Sequence, residues 1–303
     1  MKDSVFCLIH YLAQGWTLAS EKECGHLYLF RNGVPETSKG KKMLQGAKEL
    51  IESRHLIYTL TWREIRIRYK ETVMGFLWAI FLPMMIVSAG ILVRKAFSVS
   101  SGQPMEYKDV VSVMIKSVPW SFFSGSIRTA TNSLLANANL VTKIYFPREV
   151  FPFSSVAAHF FDFAVASSVI VVLVLLSGLP LGMSIVWYPY LILLLIMLTS
   201  GWGLLLSCAS LFFRDVRYLV EIIMTFGILF TPVFYDVGMF GDWSGILLLN
   251  PVGSILEAIN NVVTLNRPPD FYWLSYSSCW ALGSCIGGWI IFKRAEAEFA
   301  ERV

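Results

Sequence analysis

Long uncharged runs separated by short charged clusters set the pattern of this chain. Residues 73–93 carry no charge across 21 positions, and residues 163–213 carry none across 51. A helix rising ~1.5 Å per residue needs roughly 20 apolar residues to cross a bilayer, so the first run predicts one transmembrane helix. Pro83 inside it is tolerated where neighbouring helices satisfy the freed carbonyl. The second run is too long for one crossing. Ser177, Gly178 and Pro180 break it, which predicts spans over residues 153–176 and 188–213 joined by a tight uncharged hairpin. Residues 110–135 predict a further span although they contain Lys116 and Arg128, each near enough to an end for its stem to snorkel towards the interface. Residues 218–234 and 271–292 supply two more, the last bounded by Asp270 and Lys293.

The segments between these runs are patterned too. Residues 56–70 read LIYTLTWREIRIRYK. At ~100° per residue, Tyr58, Trp62, Ile65 and Tyr69 form one helical stripe, and Arg63, Arg66 and Lys70 form a basic stripe beside it. Such a helix suits a membrane surface, with its cations towards the anionic cytoplasmic leaflet or an acidic partner. Residues 136–152 read ANANLVTKIYFPREVFP. Pro147 fits a first helical position and Glu149 favours the positive helix end, which predicts a short helix restarting there. Lys143, Tyr145, Phe146, Pro147, Arg148 and Glu149 give this short connection the aromatics and charges that a docking knob needs. Asn250 as N-cap and Pro251 as first residue begin another helix, with Val252, Ile255, Leu256, Ile259 and Val263 at helical spacing. At about 20 Å it is too short to span. It either enters the outer leaflet as a re-entrant piece or rests on that surface. Met74, Trp78, Phe81 and Met85 share one face of the first span, while Phe226, Phe230 and Phe234 repeat every four residues along the fifth.

Charge fixes the expected orientation. Of the 25 Lys and Arg, 19 fall on the side that holds both ends of the chain and four on the opposite side. Positive residues accumulate on the cytoplasmic side, so six spans with both termini cytoplasmic are expected. The 303 residues are 55% hydrophobic and 15% charged, with a mean hydropathy of +0.60. A soluble domain carries about a quarter charged residues. The net charge of +4 is modest, and no nucleic-acid partner is expected. Cys7, Cys24, Cys208, Cys279 and Cys285 include no CxxC pair and read as reduced thiols. The start lacks the pattern of a cleavable signal, because its apolar run is short and Asp3 interrupts the basic region. Residues 1–55 read as a cytoplasmic extension. Within it, residues 27–33 suit a small strand and turn, residues 38–48 a basic linker, and Cys7, His10, Cys24 and His26 match no common zinc spacing.

The chemistry of nucleotide hydrolysis is missing from the motifs. The chain has no GxxxxGK[ST] loop to cradle phosphates, no HExxH and no DxD pair. The ionisable residues within the predicted bilayer are Lys116, Arg128, His159, Asp162 and Glu221. His159 and Asp162 stand three apart on one face, as either a proton relay or, more simply, a pair that anchors helix packing.

In order, WREIRIRYKETVMGFLW, NSLLANANLVTKIYFPREVFP, FFRDVRYLVE and LLNPVGSILEAI resemble the membrane subunit of type-2 ABC exporters. Within that family the chain most resembles the group exporting lipid-linked polysaccharides such as O-antigens, capsule and wall teichoic acids. The resemblance covers residues 56–294. It implies an all-α homodimer of six-span subunits in the inner membrane, working with two copies of a separate ATPase that binds ATP and Mg. No cofactor is then expected in this chain itself. By position, residues 56–72 resemble an interface helix and residues 140–150 a cytoplasmic coupling region, which places Arg63, Arg66, Lys70 and residues 143–149 near the ATPase. Residues 73–292 form the transmembrane domain and residues 293–303 a cytoplasmic tail. Residues 247–263 resemble an outer re-entrant gate, with Asn250, Pro251, Ile255 and Ile259 in it. Spans one and five would line the channel where two copies meet. The longer N-terminal extension and Lys116 depart from the family pattern. A permease for a drug or small lipid shares this topology, whereas an enzyme acting on a lipid-linked sugar would need carboxylates or histidines converging at one face.

Overall fold

Each apolar run becomes helix, and charged or proline-containing junctions end it. The computed structural model describes residues 53–70, 75–102, 104–143, 147–176, 182–296 and 299, all of it helix, turn or coil without a strand. The expected strand at residues 27–33 and the Cys7, His10, Cys24, His26 spacing lie outside the described residues. The helices are α1 (Arg54–Lys70), α2 (Trp78–Ser101), α3 (Tyr107–Ala136), α4 (Ala138–Lys143), α5 (Val150–Leu176), α6 (Tyr188–Phe212), α7 (Val216–Phe230), α8 (Ser244–Leu248), α9 (Pro251–Val263) and α10 (Phe271–Ala295). Short 3₁₀ segments precede α2, α6 and α8.

Four of these stretches are long and apolar enough to cross a membrane: Trp78–Ser100, Tyr107–Ala136, Val150–Leu175 and Met183–Phe212. The protein is therefore a multi-pass membrane protein. The helix α10 has the length, at 25 residues, but serines and glycines dilute its apolar character. The helix α7 has 15 residues, about 22 Å, which is short of a full crossing. Sequence periodicity carried it to residue 234. It ends at Phe230 because Pro232 has no N–H to give and pushes Thr231 into an extended conformation (φ −107°, ψ 137°).

The centre of the fold is α3, buried along most of its length and packed by α2, α5, α6, α7 and α9. A large apolar core joins it to α5, α6, α9 and α10 through residues such as Ile127, Leu195, Leu198, Leu256 and Ile259. A second core, made by Leu60, Leu134, Phe151, Leu204, Leu211, Phe292 and Phe299, gathers the start of α5 with the ends of α3, α6 and α10. The helices α6 and α10 approach closely at two glycines. A Cβ on Gly288 would come within 2.5 Å of the Gly201 carbonyl oxygen, and one on Gly201 within 2.4 Å of the Ser284 backbone, so only hydrogen at both positions permits this approach.

Candidate functional site

Several clusters of polar side chains interrupt this apolar bundle. The first joins α1 to α5. Arg68 forms an ion pair with Asp162 and lies 3.2 Å from His159 Nε2. The Tyr69 hydroxyl donates to the second Asp162 oxygen at 2.5 Å. One turn back, Glu64 accepts from Ser155 at 3.0 Å, and Arg63 donates to Asn137 at 2.5 Å. Burial pushes the Glu64 carboxyl above its usual range, against the pull of Ser155 and Arg68. His159 and Asp162 are thus a docking socket for α1, which favours the anchoring reading over a relay. Arg66 stacks 5.9 Å over the Trp62 ring and, with Lys70, stays exposed.

The second cluster holds the connection before α5. The long helix α5 itself begins at Val150, where a separate short helix was expected. Glu149 is fully buried and paired with Lys293 of α10 at 2.8 Å, while Lys293 also reaches Glu296 at 3.0 Å. Burial raises the Glu149 carboxyl, offset in part by Lys293. Arg148 donates to the Glu296 carbonyl at 2.6 Å and sits 5.8 Å from the Phe299 ring. The expected docking residue Glu149 is therefore internal, and it positions Pro147 and Arg148, which are half-buried. Lys143 closes α4; Tyr145 and Phe146 lie outside the described residues.

The third cluster corrects the reading of Lys116. This side chain does not snorkel. It is wholly buried, donates to the Tyr235 carbonyl at 2.8 Å and pairs with Asp236 at 3.2 Å and Glu257 at 3.7 Å. Arg94 of α2 bridges Asp109 at 2.7 Å and the other Asp236 oxygen at 2.5 Å. Two cations and three carboxylates thus tie together α2, α3, the turn after α7, and α9. Carboxylates meet the Lys116 ammonium inside the bundle, so its stem need not stretch to water.

The helix α9 forms as its caps predicted, with the Asn250 side chain accepting from Val252 N at 3.1 Å. Asn250 also donates to Thr231 at 2.9 Å, fastening the start of α9 to the end of α7. Pro251 is half-buried, but Ile255 and Ile259 are core residues at 1% and 0% exposure. The helix packs among α3, α6 and α10.

The aromatic stripes divide. Phe81 and Met85 on α2, and Phe226 and Phe230 on α7, are exposed, with Trp78 half-buried and edge-to-face with Phe81 at 5.4 Å. Met74 lies outside the described residues. Phe234 leaves the stripe because α7 has ended; its ring is buried against Gly90 of α2 and Val113 of α3. Sequence reasoning missed Arg68, Asp109, Asp236, Glu257 and Lys293 as partners. The available signal was each lone charge in an apolar run, since every such charge requires an opposite one nearby.

Comparison with known proteins agrees with the motif order. Residues 55–263 match the family described as ABC-2 type transporter. The O-antigen export system permease protein RfbA of Myxococcus xanthus is 27% identical over 270 residues, covering 86% of this chain and 100% of that protein. A protein of the same name from Klebsiella pneumoniae is 27% identical over 248 residues, covering 81% of this chain and 94% of its own length.

Proposed function

Because this chain belongs to the ABC-2 type transporter family, we propose that it is the permease subunit of an ATP-driven exporter carrying a lipid-linked polysaccharide across the cytoplasmic membrane. The observation that carries the substrate class is the end-to-end similarity to permeases named for O-antigen export. Two copies of the chain form the pathway, and two copies of a separate ATPase bind ATP and Mg and dock below it. The chain crosses six times with both termini cytoplasmic, α7 together with the turn at residues 231–235 making the fifth crossing and α10 the sixth. The helix α1 is the interface helix, the connection before α5 meets the ATPase, and α9 with its preceding turn is a re-entrant outer gate. The exposed faces of α2 and α7 supply the pathway lining through Trp78, Phe81, Met85, Phe226 and Phe230. Rings offer a sliding glycan weak, repeated contacts without one fixed register.

The test is export by the purified permease with its ATPase in proteoliposomes, using a polyprenyl-diphosphate glycan on the side of ATP addition. ATP-dependent appearance of glycan on the opposite side is expected. Transport of small amphiphiles without glycan would overturn the substrate class. Reporters fused at Gly182 and Val303 should land on opposite sides of the membrane, and the same side for both would overturn the topology.

A further inference from the structure

Near the end of α3 and the start of α7, both helices turn polar side chains into one cleft of about 340 Å³. It is lined by Arg128, Thr131, Asn132, Arg217, Tyr218, Val220 and Glu221. Arg128 and Asn132 stand one turn apart on α3, and Arg217 and Glu221 one turn apart on α7, so two guanidinium groups face the same space. Both are loosely held. Arg128 donates to Thr225 at 3.0 Å and has Glu221 3.4 Å from its Nε, while Arg217 reaches Asn132 only at 3.4 Å. The Nε atoms of both are shielded and have no hydrogen-bond acceptor among the described residues. Desolvated guanidinium N–H groups without acceptors are costly, and an anionic oxygen is the natural acceptor for two forks converging on one space.

Depth narrows the ligand. Arg128 lies eight residues, about 12 Å, before the end of α3, and Arg217 stands in the first turn of α7. On the charge-derived orientation this is the headgroup level of the cytoplasmic leaflet. We infer that the cleft binds the phosphoryl headgroup of a membrane lipid and that its occupant is the diphosphate of a lipid-linked substrate, an assignment of the occupant that rests on the function proposed above. The cleft is roomy enough for a diphosphate, and two arginines match its oxygens bidentately. Glu221 is the competing anion. Its side chain is 61% exposed, so it can swing to solvent and release Arg128 to the ligand.

The test uses the full chain with its ATPase in neutral-lipid nanodiscs and measures binding of a polyprenyl diphosphate, of phosphatidylglycerol and of inorganic diphosphate. Arg217→Gln and Arg128→Gln should each weaken polyprenyl diphosphate binding about tenfold, with Lys95→Gln as an unaffected control. Glu221→Gln should tighten it several-fold, an opposite sign that misfolding cannot imitate. Affinities within twofold of the parent in all three variants would overturn the site. Equal binding of phosphatidylglycerol, or of inorganic diphosphate alone, would overturn the occupant. Variant-sensitive binding of the polyprenyl diphosphate without any glycan export would leave the site standing and refute the proposed function instead.

Discussion

Replacing Lys116 with methionine tests whether the charge network holds the segment around α9 in place. The substitution keeps the length of the stem and removes the ammonium that meets Tyr235 O, Asp236 and Glu257 at 2.8, 3.2 and 3.7 Å. Asp236 keeps Arg94, but Glu257 loses its close cation inside the protein. Removing one member of a buried ion pair costs about 3–5 kcal/mol, chiefly because the remaining charge stays buried and unpaired. At roughly 2–3 °C per kcal/mol for a unit of this size, the melting temperature in detergent should fall by about 6–15 °C. Adding Glu257→Gln removes the stranded carboxylate, so the double variant should recover a large part of that loss. A second readout is local. Ile255, 1% exposed on the buried face of α9, is changed to cysteine in a background with all five native cysteines replaced by serine and labelled with an impermeant maleimide. Labelling should quicken at least tenfold with Lys116→Met. Parental melting and labelling in the single variant, or a double variant worse than the single, would refute the argument.

Lys293→Met should destabilise strongly by stranding the buried Glu149 carboxylate, whereas Lys293→Met with Glu149→Gln should sit close to the parent in thermal melting. Gly288→Leu should force α6 and α10 apart and cost at least about 1–3 kcal/mol, read as lower detergent stability; the same change at Gly283, where a Cβ meets nothing within 4 Å, should cost little. Trp78→Ala with Phe230→Ala should slow export of long glycans more than short ones at unchanged expression, and equal export of both lengths would return these rings to packing.

Helix positions were legible where one local rule acted alone. In the 51-residue uncharged run α5 ends at Leu176 and α6 begins at Tyr188, near the bounds that the sequence predicts, and Asn250 and Asp270 cap their helices as their side chains allow. Where two rules competed, the weaker cue misled. The four-residue repeat of Phe226, Phe230 and Phe234 argued for a longer α7, but Pro232 decides the backbone there. Lys116 was visible as an anomaly while its resolution was not, because Asp236 lies 120 residues further along the chain and no local pattern reports that distance. Glu149 was misplaced for the same reason. Its sequence neighbours suggest an exposed helix start, and its burial comes from Lys293 on the last helix.

The distribution of these clusters bears on how such a chain can move. The interior helices α3 and α6 share a continuous apolar core, whose separation would expose large areas and cost about 25 cal/mol per Å². The helices α2 and α7 keep much of their surface outside that core, and few hydrogen bonds and ion pairs fasten them to α3. Arg94 reaches Asp109 from α2, while Glu221, Thr225 and Arg217 of α7 meet Arg128 and Asn132. The α7 pair of Arg128 and Glu221 is partly exposed and can exchange for water or a ligand phosphate at small net cost, whereas the buried Arg94–Asp109 pair cannot. On the function proposed above, opening is therefore cheapest along α7, whose cleft with α3 can exchange partners, while the buried Lys116 network holds α2, α3 and α9 together.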